Sequence, residues 1–221
     1  MFSAINSGLQ SLQEAQKESK HGVSLMENIT NIPGLEMSPL QEANRIQELI
    51  IFSTGGTIDK IYNEANGLLE NSGPIIENHI QQLLRLPYTK PDLVPIMSKD
   101  SLYMDDQDRE LIAQTLLSHK DRKLPMIVLH GTDTMDLTAR YCQEKMPDLE
   151  VPIIFTGAMK PFGFRDSDAI QNVTEALIAC KLLKPGVYIS FHSNILEARY
   201  ARKNKDIMTF ESDIEPNRDL V

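Results

Sequence analysis

The stretch ELIIFSTGGTIDK, residues 48–60, runs from apolar side chains into a pair of glycines and then a hydroxyl-rich turn. A short apolar run stopped by glycine reads as a buried strand. Adjacent glycines let the backbone adopt conformations barred to other residues and approach a ligand closely. Such a turn either cradles phosphate or displays a nucleophile. A P-loop needs a glycine, four spacers, Gly-Lys and a hydroxyl residue, and a dinucleotide loop needs three spaced glycines. Gly55 and Gly56 fit neither pattern.

The same strand-then-turn pattern recurs at DLVPIM (92–97), LPMIVLH (124–130), VPIIFTG (151–157) and GVYISFH (186–192). Helical periodicity fills the intervals. Ile76, Ile80, Leu83 and Leu84 share one face, with Pro74 suited to the first turn. MDDQDRELIAQTLLSH (104–119) starts acidic and ends in histidine, the charge order a helix dipole favours. Met135, Ala139, Cys142 and Met146 form a third apolar face, and Ile170, Val173, Leu177 and Cys180 a fourth. Strands alternating with amphipathic helices predict an α/β fold, a parallel sheet covered on both faces.

Composition narrows the function. The chain has 221 residues and a net charge of −9, and no basic cluster offers a footprint for nucleic acid. No apolar run reaches the roughly 20 residues that span a bilayer, and the N-terminus lacks the basic start and apolar core of a secretory signal. Cys142 and Cys180 fall in helical patterns and read as buried thiols of a reducing, cytoplasmic compartment. Residues 1–46 are polar and poor in aromatics, with a weak helix expected from about Leu9 to Lys20; they read as an extension. Residues 47–221 read as the working domain.

Ligands of open α/β sheets bind outside the carboxyl ends of the strands. STGGTID, SKDSLYM, HGTDTM and TGAMKPFGFRDSD stand at such ends, and ARYARKNK follows the last strand. Thr57 is a hydroxyl nucleophile needing a base to take its proton. Thr132 and Asp133 offer a second hydroxyl and an acid. Lys203 serves as base if held in a dry cleft beside that acid. Backbone N–H groups at Gly55-Gly56 suit a developing oxyanion. Each residue alone has a plainer reading. Asp133 and Thr134 suit a helix cap, Lys203 sits in a charge run, and His130 suits a satisfied core histidine. Their joint appearance at strand ends favours attack on a carbonyl.

These residues resemble the bacterial-type L-asparaginases, the asparaginase/glutaminase amidohydrolases. STGGTIDK is similar to the first family signature and LHGTDTMDLTA to the second; FTGAMKPFGFRDSDAIQN and EARYARKNK follow in the family's order. The resemblance runs from about Glu48 to Phe210. It implies a flavodoxin-like three-layer sandwich with a mainly parallel sheet. It implies side-chain amide hydrolysis, with L-asparagine favoured, through an acyl-enzyme on Thr57. Thr132, Asp133 and Lys203 are implied as the second catalytic group. Ser101, in KDSLYM, is implied to hold the substrate's carboxylate, with Thr132 and Asp133 as further contacts. No metal or organic cofactor is implied, and a homo-oligomer is expected.

Three departures mark the short, single-domain branch. The C-terminal domain of longer members is absent from this sequence. Leu102 stands where longer members often carry a polar substrate contact. The lid tyrosine has its nearest counterpart in Tyr62, within DKIYNEANG, a segment read as a mobile loop. All three touch recognition of the substrate's α-carbon. Two other readings are a non-catalytic amino-acid-binding module and an ammonia-releasing subunit of a larger amidotransferase.

Overall fold

The structure, a computed structural model, describes residues 46–71, 80, 82 and 84–213. The polar extension, apart from Ile46, and its expected helix lie outside the described residues. So does most of the expected helix around Ile76–Leu84, although Ile80 is fully buried.

A six-stranded sheet organises the rest. Its parallel strands are β1 (Gln47–Ser53), β4 (Thr89–Pro95), β5 (Met126–Leu129), β6 (Pro152–Thr156) and β7 (Gly186–Phe191), and β8 (Asn194–Glu197) adds an antiparallel edge. The spatial order is β4-β1-β5-β6-β7-β8. Two hairpins stand apart: β2 (Lys60–Asn63) with β3 (Leu68–Asn71), and β9 (Ala201–Asn204) with β10 (Thr209–Ser212). The first five strands follow the doubly wound 2-1-3-4-5 order, whose switch point lies between β1 and β5.

Side chains on a strand alternate between faces, and β1 shows how that builds two cores. Ile50 and Phe52 pack with helices α1 (Asp106–Ser118) and α2 (Met135–Lys145). Leu49 and Ile51 pack with α3 (Ala169–Leu182) and Ile80. Helices on both faces explain why the central strands are apolar on both sides. Asp105 caps α1, accepting the Gln107 and Asp108 N–H groups, while the Asp108 carboxylate accepts the Asp105 N–H.

On α3 the predicted face is corrected at one position. Ile170 is exposed, and Ala169, Val173, Ala176, Leu177 and Cys180 face the sheet instead. The segment read as a mobile loop around Tyr62 is the β2–β3 hairpin. Among the described residues, no helix is long and apolar enough to cross a membrane.

Candidate active site

The switch point between β1 and β5 is built from glycines. Gly55 and Gly56 have φ of +92° and +88°, a region that favours glycine. A Cβ on Gly55 would stand 2.5 Å from the Lys99 nitrogen, and one on Gly56 would stand 2.4 Å from the Gly131 Cα. A Cβ on Gly131 would meet the Ser101 Oγ at 2.4 Å. The turns after β1, β4 and β5 therefore touch through bare backbone. Thr54 tightens the join, donating its hydroxyl to the Leu129 carbonyl at 3.0 Å. Thr57, half-buried, opens the short 3-10 turn Thr57–Asp59 at this junction.

Two residues on, Asp59 is buried, with the Gly55 backbone N–H facing its carboxylate. Burial pushes that carboxyl up to about 7, against the opposing pull of that N–H.

Thr132, Asp133 and Lys203 come together. Lys203 Nζ donates to Thr132 Oγ1 and to Asp133 Oδ1, each at 2.8 Å. The lysine side chain is only 8% exposed, so it is not part of a solvated charged face. It arrives on the β9–β10 hairpin, which docks through Phe210. That residue lies opposite Lys203 and packs edge-on against Phe191, with ring centroids 5.2 Å apart. Arg140 of α2 fixes the same hairpin by donating to the Ala201 carbonyl at 2.9 Å.

Ser101 joins this group from the turn after β4. Its Oγ accepts the Asp133 N–H at 3.2 Å, and its carbonyl accepts the Thr134 hydroxyl at 2.8 Å. Thr134 therefore braces the Ser101 turn; it makes no side-chain cap for α2. Ser101 itself is fully buried, whereas Leu102 and Tyr103 beside it are exposed. Lys60 Nζ links β2 to this turn through Asp100 at 2.7 Å. Tyr62 is exposed on the same strand, and its hydroxyl lies over the hairpin turn at Gly67.

A family model described as "Asparaginase, N-terminal" matches residues 48–217. The chain belongs to the asparaginase family. An L-asparaginase of Thermococcus kodakarensis is 26% identical over 67% of this chain and 45% of its own length. L-asparaginase 1 of Escherichia coli is 31% identical over 59% of this chain and 39% of its own. The human 60 kDa lysophospholipase is 28% identical over 72% of this chain and 27% of its own. The solved Thermococcus kodakarensis L-asparaginase superposes with a TM-score of 0.69 at 25% identity, covering 77% of this chain and 52% of that one. This asparaginase-family chain spans less than half the length of these curated relatives.

Sequence reasoning passed over three residues beside this cluster. Asp59 is an acid two residues past Thr57, a signal visible in the opening stretch. Asp168 gathers the Met159 and Lys160 N–H groups at 2.9 to 3.0 Å. Met159 in turn accepts the Thr132 hydroxyl at its sulfur, 3.7 Å away. His130 behaves as a core histidine: fully buried, its Nδ1 lies 2.7 Å from the Gly131 carbonyl. Burial pushes its pKa down to about 4. Among the described residues, no group of three His, Cys, Asp or Glu side chains could hold a metal ion.

Proposed function

We propose that this chain is a short asparaginase-type amidohydrolase that hydrolyses the side-chain amide of L-asparagine to aspartate and ammonia. The observation that carries the reading is the Lys203 contact with both Thr132 and Asp133, just past the end of β5, the strand paired with the one that leads to Thr57. Thr57 Oγ attacks the amide carbon, forming an ester as the C–N bond breaks, and its proton leaves on ammonia. Water then cleaves the ester, restoring the Thr57 hydroxyl and releasing the acid. Lys203 and Asp133 hold Thr132 for proton transfer during these steps. Ser101 binds the substrate's carboxylate with its hydroxyl proton, since its oxygen already accepts the Asp133 N–H. Residues 47–221 are the catalytic domain in this reading, and residues 1–46 an extension.

A homo-oligomer in the cytoplasm suits the remaining features. Ile170, Ile178 and Leu182 leave an exposed apolar stripe on α3 that a second copy would cover. The two buried cysteines are unpaired, as a reducing compartment requires.

The test is ammonia release from L-Asn, D-Asn, L-Gln and simple amides, by wild type and Thr57→Ala in parallel. A lysophospholipid ester belongs in the same panel, given the name of the human relative. Ammonia release from L-Asn that vanishes in Thr57→Ala is the expected result. Folded protein that releases no ammonia from any amide overturns the reading in favour of a binding module or a partner-dependent subunit.

A further inference from the structure

Thr132 Oγ1 has two partners of opposite kind. It accepts from Lys203 Nζ at 2.8 Å, and it donates to the Met159 sulfur at 3.7 Å. A thioether has no proton to give, so the direction of the second bond is fixed. The hydroxyl proton of Thr132 therefore points at Met159 and away from the lysine.

Met159 is held in that place by its backbone. The Asp168 carboxylate accepts the Met159 N–H at 2.9 and 3.0 Å and the Lys160 N–H at 3.0 Å. That carboxylate is fixed in turn by Asn172 Nδ2 and His192 Nε2, each at 2.9 Å. Asn172 also donates to the Gly157 carbonyl at 3.0 Å. Gly157 packs so closely that a Cβ there would stand 2.2 Å from the His130 carbonyl oxygen. The loop after β6 is thus fixed at Gly157, Met159 and Lys160, and the Met159 side chain reaches Thr132 from it.

We propose that Met159, clamped by Asp168, is a positioning residue that holds the Thr132 hydroxyl proton on its sulfur and yields it when an amide enters. This inference rests on the amidohydrolase reading of the same site. Sulfur suits the task because it is a weak acceptor. A carbonyl or carboxylate in its place would bind the proton more firmly, and breaking that bond would add to the barrier. With no acceptor, the hydroxyl would lose its resting orientation. Asp168 is a positioning residue at one further remove, acting through Met159.

Met159 also packs against the core, so a filler role must be told apart from this one. Met159→Leu keeps an apolar side chain of similar volume and removes the sulfur. The expected result is a fall in kcat for amide hydrolysis of about fivefold, because a hydroxyl with no resting acceptor spreads over its rotamers and is less often aligned for proton transfer, with KM and Tm unchanged. Wild-type kcat in Met159→Leu overturns the proposal and leaves the Thr57-dependent activity intact.

A second measurement does not depend on turnover. In protein labelled with ¹³C at the methionine methyls, the Met159 resonance is the one lost in Met159→Leu. Thr132→Val removes the donor and keeps the shape, and it is expected to shift that resonance; Thr57→Val is not. An unmoved resonance in Thr132→Val overturns the proposal whether or not the protein hydrolyses asparagine. Failure of wild type to release ammonia from any amide is instead a failure of the amidohydrolase reading.

Discussion

Lys203 and Thr132 lie 71 positions apart in the chain and meet at 2.8 Å, with the lysine side chain almost out of solvent. The pairing depends on a hairpin seated by Phe210 and on a glycine turn that brings β5 against β1. A charge held this dry needs a partner, and Asp133 supplies it.

Lys203→Met is expected to lower kcat for amide hydrolysis by at least 100-fold, within the range of general acid–base catalysis. Asp133→Asn is expected to cost stability as well as rate. It removes the carboxylate that Lys203 bonds to and leaves only Asp100 as a more distant counter-charge, a loss of about 2 kcal/mol. Steady-state kinetics and urea unfolding on both variants check this. Equal kcat in wild type and Lys203→Met would remove the lysine from the mechanism.

Gly56→Ala is expected to unfold at lower denaturant than wild type. Its φ of +88° disfavours any Cβ, and that Cβ would stand 2.4 Å from the Gly131 Cα. Backbone cannot swing aside as a side-chain tip can. A loss of about 2 to 4 kcal/mol follows from strain plus displacement, and the turn carrying Thr57 moves with it. Gly163→Ala is the control, because nothing lies within 4 Å of a Cβ there. It is expected to stay within about 0.5 kcal/mol of wild type.

The sheet was legible because its strands are short, apolar and stopped by turn residues, and the strand ends pointed to the site. The α3 face was misread at Ile170 because Ala169 and Ala176 lie against the sheet. A periodic pattern cannot tell a small buried residue from a large exposed one. The β2–β3 hairpin did carry a signal, Asn66-Gly67 between apolar positions, that fits a hairpin turn. By contrast, the β7–β8 turn hides itself. His192 and Ser193 both have positive φ without glycine, held by Asn172, Asp168 and Glu175 from α3 and the loop before it. Lys203 was ambiguous for a similar reason. A charge run looks solvated until a distant aromatic residue docks the strand that bears it.

Asp59 gives stability a pH dependence of definite sign. Its folded pKa is about 7 and its ordinary value 3.8. Between those values the folded chain binds the proton that the unfolded chain has released. Stability therefore falls as pH rises from about 4 to about 7. The full span is worth roughly 4 kcal/mol. Asp59→Asn keeps an acceptor for the Gly55 N–H and does not ionise. It is expected to be more stable than wild type at pH 8, with the difference shrinking towards pH 4. Urea unfolding at several pH values measures this, and parallel curves for the two proteins would refute it.

Lys60 and Asp100 tie the β2–β3 hairpin to the turn that carries Ser101. Desolvation raises the Asp100 carboxyl, but the Lys60 hydrogen bond and the Leu102 N–H outweigh it and hold the group below its ordinary value. The stabilisation from this pair is present above the unfolded carboxyl value of 3.8 and is lost as pH falls through the lower folded value. At neutral pH the link is intact, so its effect on function is best read by mutation. Ser101 in our reading contacts the bound substrate in ground and transition state alike. Loosening its turn should then raise KM and leave kcat nearly unchanged, the mark of uniform binding. Lys60→Met is the variant, since it keeps the apolar stem and removes the charge. A KM for L-asparagine raised about threefold to tenfold at constant kcat is the expected outcome, the scale of about 1 kcal/mol from one partly exposed pair. A fall in kcat at constant KM would mean that the hairpin acts on the chemical step and that Ser101 is not its target.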